Sequence, residues 1–250
     1  MKIARFSHDG VLRFGVLDED EQELVVLTGD PMFAGYDTTG DRVPLSEAKL
    51  LSPVLPRSKV VGAAYNYGEP TDATGDPFLF LKPNTSVIGP GDPIVLPPGV
   101  GPIWIEAELA VVIGRIAKQV NVGNALDYVF GYTAANDVTA IELMKDRVPQ
   151  AKGYDTFTPL GPFIETDLDP EDVDLVGRVD GEERQTGNTS QLIHSAAELV
   201  AFASTIWTLL PGDVILTGTP GGNRVIESGQ SVEVEVAGIG VLRNPAIARP

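Results

Sequence analysis

Glycine and proline interrupt this chain from end to end, at 27 and 20 of its 250 residues. Proline fixes φ and removes a backbone donor, and glycine supplies turn conformations, so long unbroken elements are disfavoured throughout. Short apolar segments closed by turns predict a β-rich α+β fold. Residues 1–55 read as a small N-terminal β domain, with strands expected over 3–6, 12–17 and 23–27 and a loop over 30–41. Residues 56–250 read as one larger domain, with strands over 59–64, 78–81, 103–113, 214–216 and 232–236. Two short helices are expected over 124–129, capped by Asn124, and over 139–146. Apolar residues at three-and-four spacing, from Leu192 and Ile193 through Leu199, Val200 and Ala203, predict a longer helix from Thr189 or Ser190 to Trp207.

Composition narrows the function. With 18 basic against 35 acidic residues the formal charge is −17, which repels phosphate backbones and anionic lipid and argues against nucleic-acid or membrane partners. The chain has no cysteine and only two histidines, His8 and His194, so disulfides, thiolate sites and histidine-rich metal sites are excluded. No apolar run approaches the roughly 20 residues that span a bilayer, and the first residues carry no apolar stretch of the signal-peptide kind. The expectation is a cytoplasmic protein.

The most informative segment is Trp104-Ile-Glu-Ala-Glu-Leu-Ala-Val-Val-Ile-Gly114. Side chains alternate across a strand, so Glu106 and Glu108 share a face. Two adjacent carboxylates within an apolar strand repel each other, and a hard divalent cation removes that penalty. Asp137, after the apolar-leaning run 130–136, supplies a third acid. Three carboxylates on Mg²⁺ or Mn²⁺ leave about three of six positions for water and a chelating 2-oxo carboxylate. The same spacing also fits an ordinary amphipathic strand with both glutamates in water.

From Lys59 to the C-terminus the sequence resembles the fumarylacetoacetate hydrolase superfamily. The resemblance rests on Phe80-Leu-Lys-Pro83, Glu106-Ala-Glu-Leu-Ala-Val-Val-Ile-Gly114, Gly131-Tyr-Thr-Ala-Ala-Asn-Asp137, Lys152-Gly-Tyr-Asp-Thr-Phe157, Gln185-Thr-Gly-Asn-Thr-Ser190 and Leu210-Pro-Gly-Asp-Val-Ile-Leu-Thr-Gly-Thr-Pro220, in that order. It implies a β-roll or sandwich catalytic domain, often with a small N-terminal domain, and a homodimer. It implies Mg²⁺ or Mn²⁺ held by Glu106, Glu108 and Asp137, with Lys152 and Thr219 binding the carboxylate or keto end of a small 2-oxo acid. Gly218 and Tyr65 are further candidates for substrate contact, and Lys82 and Arg184 are candidate cations.

Two departures accompany the resemblance. Hydrolytic members carry a His, and a Glu three residues later, that together activate water; here those positions read Pro70 and Ala73. Glu69 and Asp72 are the nearby carboxylates, and Glu69 is taken as the catalytic candidate. Where the family often places an Arg and a Gln after the Asp137 run, this chain has Ile141 and Met144. Hydrolysis of a C–C bond needs a base for water, whereas enolisation or decarboxylation of a chelated 2-oxo acid needs less. The expectation is therefore a metal-dependent tautomerase, isomerase or decarboxylase on a 2-oxo acid or 2-oxo dioate, with acylpyruvate hydrolysis as another outcome. The alternative is a family member that has lost turnover and serves as a ligand-binding or interaction protein. A Ser195–His194 nucleophile and a phosphate loop over 217–222 fit poorly, since neither has its motif's context.

Overall fold

Ala107–Ile113 lies at the middle of the molecule, and all seven of its residues are buried. Such a strand must be covered on both faces, and its near-continuous apolar run serves that purpose. One set of alternate residues, Ala107, Leu109, Val111 and Ile113, packs with Leu175, Val234 and Val236 of a second sheet and with Leu199, Val200 and Ala203 of a helix. The other set, Ala110 and Val112, packs with Val60, Ala135, Leu160 and Leu216. The computed structural model describes residues 1–68, 75–222 and 224–249.

The central sheet has twelve strands among the described residues. Its path runs Thr38–Pro44, Glu23–Leu27, Val11–Asp18, Lys2–His8, Thr158–Glu165, Val129–Asn136, Ala107–Ile113, Val214–Leu216, Val60–Ala64 and Phe78–Lys82. A five-stranded sheet packs over it in the order Glu182–Asn188, Asp174–Val179, Ser231–Val236, Gly240–Ala248 and Ile94–Leu96. A three-stranded ribbon, Thr139–Ala140, Ile103–Trp104 and Val225–Ile226, closes the end where the functional residues gather. The architecture is the β-rich sandwich type expected, with few helices.

The first four strands extend the central sheet, because Lys2 and Ile3 pair with Glu165 and Ile164. The expected loop over 30–41 instead holds a one-turn helix, Pro31–Ala34, capped by Asp30, and the start of the Thr38–Pro44 strand. The strand expected over 103–113 is two strands in different sheets. It breaks at Ile105 and Glu106, whose N–H groups donate to Arg224 O at 2.8 Å and to Asn136 Oδ1 at 3.0 Å. The two short helices expected near 124–129 and 139–146 are 3₁₀ turns, Val122–Tyr128 and Ile141–Lys145. The long helix is Ala196–Ile206 and starts later than its apolar spacing suggests. Asn188 caps a separate 3₁₀ turn, Thr189–Gln191, and Leu192 then bridges to Tyr67.

Candidate metal centre and its cavity

Three neighbouring strands deliver the acids and their surroundings to one end of the sheet. Ala107 is registered opposite Asn136, so the next residue outward on each strand, Glu106 and Asp137, also face each other. The Asp137 N–H donates to Glu106 O at 3.0 Å and holds them there. On the other flank Ala110 pairs with Leu216, and the chain continues into Thr217, Gly218 and Thr219 beside Glu108. The carboxylate oxygens of Glu106, Glu108 and Asp137 lie within 4.8 Å of one another. They are 8, 1 and 1 % exposed, so neither glutamate faces water.

Two lysines face this cluster. Lys152, the last residue of the Val148–Lys152 helix, places Nζ 2.5 Å from Glu106 Oε2 and 2.6 Å from Asp137 Oδ2. Lys82, at the end of Phe78–Lys82, is fully buried, pairs with Asp137 Oδ1 and donates to Phe157 O at 2.9 Å. Burial would raise the Asp137 pKa, but Lys152 and Lys82 together bring it below the ordinary value. Burial opposes the charge of Lys152, and the surrounding Asp137, Glu106 and Glu108 outweigh it and keep the ammonium more basic than usual. Burial pushes Glu106 up despite Lys152.

Glu108 differs from its neighbours. Burial, then Asp137 and Glu106, push its pKa well above the carboxylate range. Among the described residues its carboxylate accepts a single hydrogen bond, from Gly218 N–H at 2.7 Å. Gly218 adopts φ +107°, and a Cβ there would lie 2.9 Å from Asn66 Cβ, so the approach requires glycine. A buried carboxylate so lightly paired calls for a cation. Three hard oxygen donors at this spacing fit a divalent ion of the Mg²⁺ or Mn²⁺ type.

The cluster opens on a cavity of about 320 Å³ lined by Glu106, Glu108, Lys152, Thr219, Tyr65 and Tyr67, and also by Trp104, Ile141, Met144 and Arg224. Thr219 Oγ1 accepts from Gln185 Nε2 at 2.8 Å, which leaves its own hydrogen to donate. Tyr65, at φ 57° and 80 % exposed, edges the opening against Phe78. The replacements Ile141 and Met144 therefore sit at the cavity itself. Glu69, Asp72, Pro70 and Ala73 lie outside the described residues.

Other candidates fall elsewhere. Arg184 pairs with Glu182 at 2.9 Å. The His194 N–H donates to Asn66 Oδ1, and Ser195 caps the Ala196–Ile206 helix, so these two form no nucleophilic pair. His8 lies beside Asp9 and Glu47. Sequence reasoning missed Arg224, Trp104, Asn136 and Gln185. The charge of Arg224, isolated after a glycine-rich turn, was the one available signal.

The model for fumarylacetoacetate (FAA) hydrolase C-terminal domains matches residues 59–247, and one described as Rv2993c-like, N-terminal, matches residues 1–53. The chain belongs to the fumarylacetoacetate hydrolase family. It is 41% identical over 263 residues to Protein Rv2993c of Mycobacterium tuberculosis, covering 100% of this chain and 99% of that one. It is 37% identical over 224 residues to the Homo sapiens oxaloacetate tautomerase FAHD2A, mitochondrial, covering 82% and 71%. Among solved structures, the 5-carboxymethyl-2-hydroxymuconate delta-isomerase of Mycobacterium smegmatis superposes with a TM-score of 0.94 at 44% identity, each chain covered in full. The maleylpyruvate hydrolase of Sphingobium sp. SYK-6, in complex with manganese(II) and pyruvate, gives 0.84 at 29%, again over the full length of both. Homologues of this chain thus include isomerases, hydrolases and a tautomerase.

Proposed function

We propose that this protein is a Mg²⁺- or Mn²⁺-dependent enzyme that enolises a small 2-oxo acid or 2-oxo dioate, as a tautomerase, isomerase or decarboxylase in preference to a C–C hydrolase. One observation carries the reading: Glu106, Glu108 and Asp137 converge, buried, beside a cavity that the two glutamates line, and among the described residues Glu108 has only a backbone N–H for a partner. A divalent ion held by these three side chains supplies Lewis acidity toward a keto oxygen. The remaining work belongs to the chain. Lys152 keeps its proton and directs Nζ at negative charge developing on the substrate. The Thr219 hydroxyl, oriented by Gln185, donates to the substrate carboxylate. The Gly218 N–H fixes the Glu108 carboxylate. Trp104, Ile141 and Met144 keep the cavity wall apolar and restrict water. Glu69, outside the described residues, stays the catalytic candidate of the sequence, and Glu69→Gln tests it.

The preference over hydrolysis follows from Pro70 and Ala73, which offer no group to activate water. The homologous isomerase and tautomerase support the same chemistry, and the neighbour holding manganese(II) and pyruvate supports the ion and the ligand class. The test follows enol absorbance and CO₂ release from oxaloacetate, and cleavage of an acylpyruvate, with metal-loaded protein. Enol–keto conversion of oxaloacetate, reduced on the order of 10²-fold or more by Glu106→Gln or Glu69→Gln, is the expected result. Acylpyruvate cleavage outpacing it would overturn the preference. Metal binding with turnover of neither compound would replace the enzyme by a ligand-binding protein.

A further inference from the structure

We infer that Arg224 is the specificity-determining residue of this site, a receptor for a second carboxylate at the far end of the substrate. The inference rests on the 2-oxo acid reading above and narrows it to 2-oxo dioates.

Arg224 is held in place by backbone pairing. Its carbonyl accepts from Ile105 N–H at 2.8 Å, and the next residue, Val225, is registered opposite Trp104 in the three-stranded ribbon. That pairing lays the guanidinium over the Trp104 ring, 5.2 Å from its centroid, on the wall of the cavity. A guanidinium carries five N–H donors. Among the described residues Arg224 uses one, Nη2 to Pro220 O at 3.0 Å, and its buried Nε has no partner. Nη1 stands 3.6 Å from Glu106 Oε1, beyond hydrogen-bond range, while Glu106 already has Lys152 at 2.5 Å. Lys152 is thus the nearer counter-charge to Glu106, and Arg224 adds charge there while keeping donors that Glu106 does not take up. Its open donors suit a planar carboxylate taken in two parallel bonds.

Formal charge agrees. Three carboxylates, Glu106, Glu108 and Asp137, face three cations, Lys82, Lys152 and Arg224. A divalent ion then leaves two positive charges, which a dioate matches and a monoacid does not. Ile141 and Met144 offer the middle of the molecule an apolar wall in the same cavity.

The experiment compares oxaloacetate with pyruvate on Mg²⁺-loaded wild type, Arg224→Met and Arg224→Lys. Calorimetry reads affinity whether or not either compound turns over, and exchange of the C3 hydrogens into D₂O reads enolisation. Wild type should prefer oxaloacetate. Arg224→Met should cut that preference by about ten- to a hundredfold, chiefly through affinity and KM. Arg224→Lys, which keeps the charge and loses the fork, should fall between. A preference unchanged in Arg224→Met, or absent from wild type, would overturn the role of Arg224 alone. Failure of wild type to bind either compound would overturn the 2-oxo acid reading beneath it.

Discussion

Glu108 and Tyr132 show how single buried groups set the behaviour of this protein. Among the described residues Glu108 has one hydrogen-bond partner, and its pKa is pushed well up, so its ionised form is a cost that folding carries until a cation arrives. Replacing it with Gln keeps an acceptor for the Gly218 N–H and removes the charge. Thermal melts of Glu108→Gln should show a metal-free midpoint no lower than wild type, and no rise on adding saturating Mn²⁺, where wild type rises. Tyr132 sits in the core cluster, within electrostatic reach of Asp169 and Glu171. Burial first, and then those two acids, raise its hydroxyl from 10.0 to about 12. The folded protein therefore retains the phenolic proton over a range in which the unfolded chain releases it. That contribution is complete below pH 10 and is lost as the pH rises toward about 12. Urea titrations along this alkaline limb should show wild type losing about 2 kcal/mol more than Tyr132→Phe.

Elements were legible in the sequence where periodicity alone decides them. Glu23–Leu27 and Val214–Leu216 fall where their apolar runs place them, and Ser231–Val236 alternates between buried and half-buried as its sequence does. Boundaries set by backbone pairing across the fold were not legible. Leu192 and Ile193 continue the helical spacing, yet Leu192 bridges to Tyr67 and the Ile193 N–H bonds Asn66 O, so the helix starts at Ala196. Ser195 and Glu198 form its capping box, a local signal that residues 195–198 do contain. Ser195→Ala removes the acceptor for the Glu198 N–H and should cost about 1 kcal/mol in denaturant unfolding, with metal affinity unchanged. The centre follows the same division. Paired acids in an apolar run marked Glu106 and Glu108, Asp137 followed as the acid after the run 130–136, and the family resemblance added Lys152 and Thr219. Arg224 could not be read, because its place depends on a ribbon joining residues more than a hundred positions apart in sequence.

At the scale of the whole molecule, the family models divide the chain between residues 53 and 59, while the hydrogen bonding crosses that division. Ile3 packs with Val60, Ile164 and Val214, and Phe163 packs with Phe6 and Leu24. Ladder bonds run without interruption from Thr38–Pro44 to Phe78–Lys82, through the strand that ends just before Asp137 and the one that contains Glu108. Heat finds no seam along which to part the first strands from the rest. Scanning calorimetry should record one endotherm whose van't Hoff and calorimetric enthalpies agree, and two resolved peaks would contradict it. The N-terminal module and the larger one that bears the acids would then share a single melting fate, so that damage to a turn between the outermost strands erodes the grip on the ion from the edge of the sheet.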